Sequence, residues 1–196
     1  MRSLSILLLV CIFFYCCNNS DNQEAKPAKS KYSASFNSSM ESLLAGYYDL
    51  SDAFVRWDSA AVNVKSEDLV TKSKNFPMGE IKKDSALAPD LREFENYFVS
   101  SLENIHAAPD FTAKRKAFSN ASQTLFGFLN TIKYDQSRLF LNECTMPFND
   151  TGRAVWISKS DTVRNPYLGL QHPRYGSGML GCGSNISKID YIDKEK

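Results

Sequence analysis

The strongest constraint on how this chain can fold is a run of apolar stripes at helical spacing through its middle. Met40, Leu43, Leu44, Tyr47, Leu50, Phe54 and Trp57 recur every three or four residues, and Ser38 with Glu41 has the pattern of a capping box at their start. Asp58 can cap a continuation through Ala60, Ala61, Val64 and Leu69, which Pro77 and Gly79 close, and a long loop is expected from there to Ala88. Pro89 suits the first turn of a third helix, whose stripe is Leu91, Phe94, Phe98, Leu102 and Ile105. Asp110 can cap a fourth, with Phe111, Phe118, Ala121, Leu125, Phe128, Leu129 and Ile132 inward and Lys114, Arg115 and Lys116 on the outer side. Four such stripes are most simply buried against one another. The expected fold is mainly α, an antiparallel four-helix bundle over residues 38–134.

From Arg138 the period changes. Leu139 to Met146 and Ala154 to Ile157 are short β-prone runs separated by Asn149, Asp150, Thr151 and Gly152, which predicts a small C-terminal β-hairpin. Gly176, Gly178, Gly181 and Gly183 then mark an irregular, glycine-rich tail, so residues 135–196 are read as hairpin plus turns. With the bundle they make one globular domain, residues 38–196, long enough for a core of its own.

The N-terminus carries a different message. Arg2 precedes an almost unbroken apolar run from Leu4 to Cys17, shorter than the roughly 18 residues of a spanning helix, and the run closes on Asn18, Asn19 and Ser20. This is the pattern of a secretory signal, expected over residues 1–16. Its end resembles the lipobox of bacterial lipoproteins, which implies acylation of Cys17 and attachment to a membrane through lipid. Cleavage without acylation is the alternative. Residues 17–37 then form a tether, reaching about 25 Å as a flexible coil. The expected location is exported, on the periplasmic or cell-surface side. Lys and Arg number 23 against 22 Asp and Glu, and Arg2 leaves with the signal, so no nucleic-acid partner is implied.

Cys11 and Cys16 also leave with the signal, which makes Cys144 and Cys182 the thiols of the folded part. On a strand, Cys144 and Met146 would share one face, while Met179 and Cys182, three apart, meet in one tight turn. Thiolate and thioether together select soft ions such as Cu(I) or Ag(I). His172 could add a nitrogen. The alternative for the same residues is a Cys144–Cys182 disulfide, usual in exported proteins and worth about 3 to 4 kcal/mol by chain entropy, with the two methionines as core filler. A Cys144 nucleophile with His172 as base lacks a local signature, so the chain is not read as an enzyme. His106, Trp57 and Trp156 are read as structural, His106 against its helix dipole and the tryptophans as packing anchors.

The strings Cys144-Thr145-Met146-Pro147, Trp156-Ile157-Ser158, Asn165-Pro166-Tyr167 and Gly178-Met179-Leu180-Gly181-Cys182-Gly183 resemble the domain-of-unknown-function family numbered 3347. Tyr48, Leu50, Ala53-Phe54-Val55 and Arg115-x-x-Phe118-x-x-x-Ser122 extend the likeness into the helices. The chain departs from that family's pattern at Thr145 and in the stretch Leu170 to Tyr175, an insertion that holds His172. The family occurs as exported proteins and at the end of heavy-metal efflux adaptor subunits. The resemblance therefore implies copper or silver handling at Cys144, Met146, Met179 and Cys182, for buffering or delivery to efflux components. A disulfide-stabilised structural or interaction module of the envelope remains the alternative.

Overall fold

The computed structural model describes residues 30–83, 88–148 and 152–192. The signal, Cys17 and most of the tether lie outside them. Four helices, α1 (Ala34–Val55), α2 (Ser59–Lys74), α3 (Ala88–Ala107) and α4 (Phe111–Thr131), precede three strands, β1 (Leu139–Cys144), β2 (Ala154–Ser158) and β3 (Ser184–Ile189). Consecutive helices pack on one another. Rings of α1 also meet α4, with Phe118 5.3 Å from Tyr47 and 4.8 Å from Phe54 between centroids.

The stripes of α1, α3 and α4 are buried as expected, except that Trp57, beyond the end of α1, and Phe111 are only half-buried. Asp58 and Asp110 do cap, their carboxylates accepting from the amides of Ala61 and Ala113 at 2.9 and 2.8 Å. The start of α1 is different. Ser33 is the N-cap, its hydroxyl accepting from Phe36 N–H at 3.1 Å, so the helix takes in residues expected in the tether and Ser38 lies in its interior. The reason is Phe36, which is fully buried, stacks on Tyr32 and meets Phe76 edge to face. In α2 the inward face is Val62, Ser66, Leu69 and Ser73, whereas Ala60 and Val64 face solvent. The break at Trp57, whose φ is +58°, restarts the helical phase and displaces the stripe. A short 3-10 helix, Met78–Lys83, occupies part of the expected loop and buries Met78 and Ile81.

The largest correction in the helices concerns α4. Lys114 and Arg115 are buried, and only Lys116 is exposed. Lys114 Nζ donates to Asn63 Oδ1 at 2.7 Å and to the carbonyl of Ile105 at 2.8 Å, so its charge sits on the carbonyl end of α3.

β1 and β2 pair antiparallel, with Cys144 opposite Ala154 and Asn142 opposite Trp156. The residues expected to be only turns contain β3, which pairs antiparallel with β1 and gives the sheet order β2-β1-β3. β3 alternates poorly because five of its six residues are exposed. It is held by backbone pairing and by Asn185, whose amide donates to Asn142 Oδ1, rather than by an apolar face. One continuous core includes both Phe118 and Leu125 of α4 and Trp156, Ile157 and Tyr167 of the C-terminal part.

Candidate functional site

Tyr47 joins the two parts. Ser122 donates its hydroxyl to the carbonyl of Phe118 at 2.8 Å, which leaves its oxygen to accept from Tyr47 O–H at 2.7 Å. The Tyr47 oxygen in turn accepts from the amide of Ile157 on β2 at 3.0 Å. Burial pushes the Tyr47 phenol far above its ordinary range, so it stays neutral and can donate. The Tyr167 hydroxyl, also pushed up by burial, donates to the carbonyl of Val155.

Asn165 explains the Asn-Pro-Tyr string. Its side-chain oxygen accepts from the amides of Tyr167 and Leu168 at 2.7 and 3.0 Å, as an N-cap does, and shapes the turn that follows. Its amide donates to the carbonyl of Cys182 at 2.7 Å. The fully buried Asn165 therefore couples that turn to the loop carrying Cys182. Gly169, at φ +54°, closes the turn against α1: a Cβ there would lie 2.5 Å from the carbonyl of Val55.

Cys144 ends β1 and is fully buried, and Cys182 precedes β3 half-buried. Both are free thiols, and Cys182 lies close enough to Cys144 for the two to influence each other electrostatically. Burial first, then the proximity of Cys144, raise the Cys182 thiol above its ordinary value. Gly183 makes the approach possible: a Cβ there would stand 2.7 Å from the carbonyl of Glu143 and 2.8 Å from the ring of Trp156. Met179 lies in the turn whose carbonyl accepts from Cys182 N–H at 3.0 Å, and it packs half-buried against the core.

Met146 is placed elsewhere. β1 stops at Cys144, so strand alternation does not extend to Met146, which is 40% exposed and lines a groove with Trp57, Arg115 and His172. The structure thus brings Cys144, Cys182 and the Met179 turn together and sets Met146 with His172. Nδ1 of His172 accepts from the amides of Arg174 and Tyr175 at 3.2 and 3.3 Å, which puts the ring proton on Nε2 and leaves neither nitrogen a spare lone pair for a metal. His106 is exposed at the end of α3, 2.9 Å from Glu67 of α2. No cluster of three or more His, Cys, Asp and Glu side chains suited to a metal occurs among the described residues. A thioether falls outside that donor set.

Arg115 is the residue that sequence reasoning misplaced. Its Nη1 donates to the carbonyl of Tyr167, and its guanidinium lies 4.5 Å from the ring centroid of Trp57 and 5.4 Å from that of Phe111. Trp57 Nε1 donates to the carbonyl of Leu168 at 3.1 Å. Both side chains clasp the same turn. A signal for this was present in the string Arg115-x-x-Phe118-x-x-x-Ser122, since Phe118 and Ser122 are core and Arg115 lies on their face of the helix.

What these features define is a helical bundle bearing a three-stranded sheet, with a pair of thiols where the sheet meets its closing loop. Residues 43–137 match the model of a family described as protein of unknown function (DUF3347), the family that the strings of this chain resemble. The match runs from α1 to the approach to β1 and stops short of both thiols. No curated protein and no solved structure matches the chain.

Proposed function

We propose that the protein is a non-enzymatic envelope lipoprotein that holds one soft monovalent ion, Cu(I) or Ag(I), between Cys144 and Cys182, to buffer it or deliver it to heavy-metal efflux components. The observation that carries this reading is the proximity of two free thiols, one buried and one partly exposed to solvent. The donor set fits: two thiolates suit a soft ion that accepts few ligands, and Met179, in the turn that accepts from Cys182 N–H, would supply a third. Bound there, the ion would be held as an electron-poor centre between sulfur donors. Cys182 must first give up a proton that its surroundings favour, so binding weakens as pH falls. Asn165 fixes the loop by its grip on the Cys182 carbonyl, and the core around Cys144 keeps water from the inner sulfur. The four helices, joined by the short connections at 56–58 and 108–110, are read as an antiparallel bundle that carries this site.

The same proximity favours a second reading, in which Cys144 and Cys182 form a disulfide that stiffens an interaction module. The thiols cannot do both at once. Mass measurement of the non-reduced protein separates the two, because a disulfide removes two hydrogens. For the reduced protein, competition against a Cu(I) chelator should show tight binding that Cys144→Ser or Cys182→Ser abolishes. Met179→Leu should weaken it, and Met146→Leu and His172→Ala should change it least. A wild-type affinity equal to that of the double Cys→Ser variant sinks the metal reading. The tether is tested by fatty-acid labelling, which Cys17→Ala should remove.

A further inference from the structure

The groove beside Trp57 is built around a charge that lacks a counter-charge. Arg115 is 5% exposed, and no carboxylate pairs with it among the described residues. Of its five N–H groups, Nε donates to the carbonyl of Phe111 at 3.4 Å, Nη2 to Thr112 Oγ1 at 3.3 Å and Nη1 to the carbonyl of Tyr167, which leaves two unspent. A guanidinium so deeply buried is costly unless an anion accompanies it. Burial pushes its pKa down to about 10, and the nearest acid, Asp110, only partly opposes this. Asp110 is exposed and already caps α4. The groove has a volume of about 620 Å³, within the range of about 300 to 1,000 Å³ typical of small-molecule sites. Its walls are mostly flat or apolar: Trp57, Phe111, Leu168 and Tyr175.

We infer that this groove binds a small organic monocarboxylate with a flat apolar body, its carboxylate on Arg115 and its body against Trp57 and Phe111. A planar guanidinium matches a carboxylate by two parallel hydrogen bonds, and the aromatic walls take an apolar body at little desolvation cost. Phosphate has no apolar body to set against these rings, which disfavours it, while Asp110 and Arg174 bring opposite charges to the same groove. The site is independent of the thiol pair.

The test uses the purified full chain and follows the Trp57 indole and Arg115 Nε–H resonances during titration with benzoate, benzyl alcohol and inorganic phosphate. Benzoate should shift both signals saturably, and benzyl alcohol and phosphate should bind at least about tenfold more weakly, the size of one charge-assisted contact. Arg115→Lys should weaken benzoate about tenfold, since an ammonium cannot form the paired contact. Asp110→Asn keeps a capping side chain and removes the rim charge, so it should tighten benzoate binding severalfold. The proposal is overturned if benzoate gives no saturable shift, if phosphate or benzyl alcohol binds as well, or if Asp110→Asn fails to tighten binding. The last arm stands even where Arg115→Lys does not fold.

Discussion

The helices and the C-terminal residues reach the same core by different means. Each of α1, α3 and α4 buries a row of large apolar side chains, and its place depends on the sum of many contacts. Residues 139–192 contribute fewer such side chains and are fastened by single hydrogen bonds from buried polar groups. Tyr47 holds Ile157, Trp57 holds Leu168, Arg115 holds Tyr167, Ser119 holds Val155 at 3.1 Å, and the carbonyl of Val55 accepts from Leu170 N–H at 2.8 Å. Summed apolar burial tolerates the loss of one contact. A lone polar fastening does not, because its removal leaves a buried donor or acceptor with no partner.

The widest perturbation of that contrast is alkaline pH. The phenols of Tyr47, Tyr48 and Tyr167 are all raised above the ordinary 10.0, first by burial. Below that value they are neutral in folded and unfolded chains alike and add no pH dependence. Above it the unfolded chain releases protons that the folded chain keeps, so stability must fall as pH rises. Arg115 acts in the opposite sense, since its pKa is about 10 in the fold against an ordinary 12.5, but one group stands against these three and Tyr134, whose phenol burial also raises. Urea midpoints should therefore drop steeply above pH 10, with phenolate absorbance rising together with unfolding. Phenolate at these three rings, followed by their own ring resonances, well before unfolding would show them to be accessible.

Next in size is Phe118→Ala, because this ring meets Tyr47, Phe54 and Tyr167 and so serves both parts. It should cost about 3 to 5 kcal/mol in urea unfolding, and helices and sheet should melt together. Separate transitions would show that the shared core is weaker than its continuity implies. Tyr47→Phe should cost less, about 1 to 3 kcal/mol, since the ring remains and only its hydroxyl is lost. The amide of Ile157 loses its partner, so its hydrogen exchange should quicken more than that of amides within α3. Equal quickening throughout would dissolve the distinction between summed packing and single fastenings.

Helical period was legible because it repeats. Leu91, Phe94, Phe98, Leu102 and Ile105 can share a face only in a helix, and Asp58 and Asp110 announce their helix starts by local chemistry. Local patterns also misled. Ser38 and Glu41 look like a helix start, yet burial of Phe36 extends α1 back to a cap at Ser33. Lys114 and Arg115 are charged, which by itself points them to solvent, yet carbonyls at the end of α3 and in the turn at Tyr167 receive them. β3 was illegible because Ser184 to Lys188 bury nothing, and pairing with β1 is a relation between distant segments.

For the candidate site, the sequence by itself determined the inventory: two thiols, two methionines and one histidine in the C-terminal part, on a helical frame. Their grouping belongs to the tertiary structure alone. The end of β1 at Cys144 takes Met146 to the groove beside Trp57, while Asn165 and Gly183 bring Cys182 against Cys144. Apolar periodicity is a property of neighbouring residues, so the chain carries it in plain order. Which sulfur meets which depends on where strands stop and loops close, and those are decided by hydrogen bonds between residues that the sequence holds far apart.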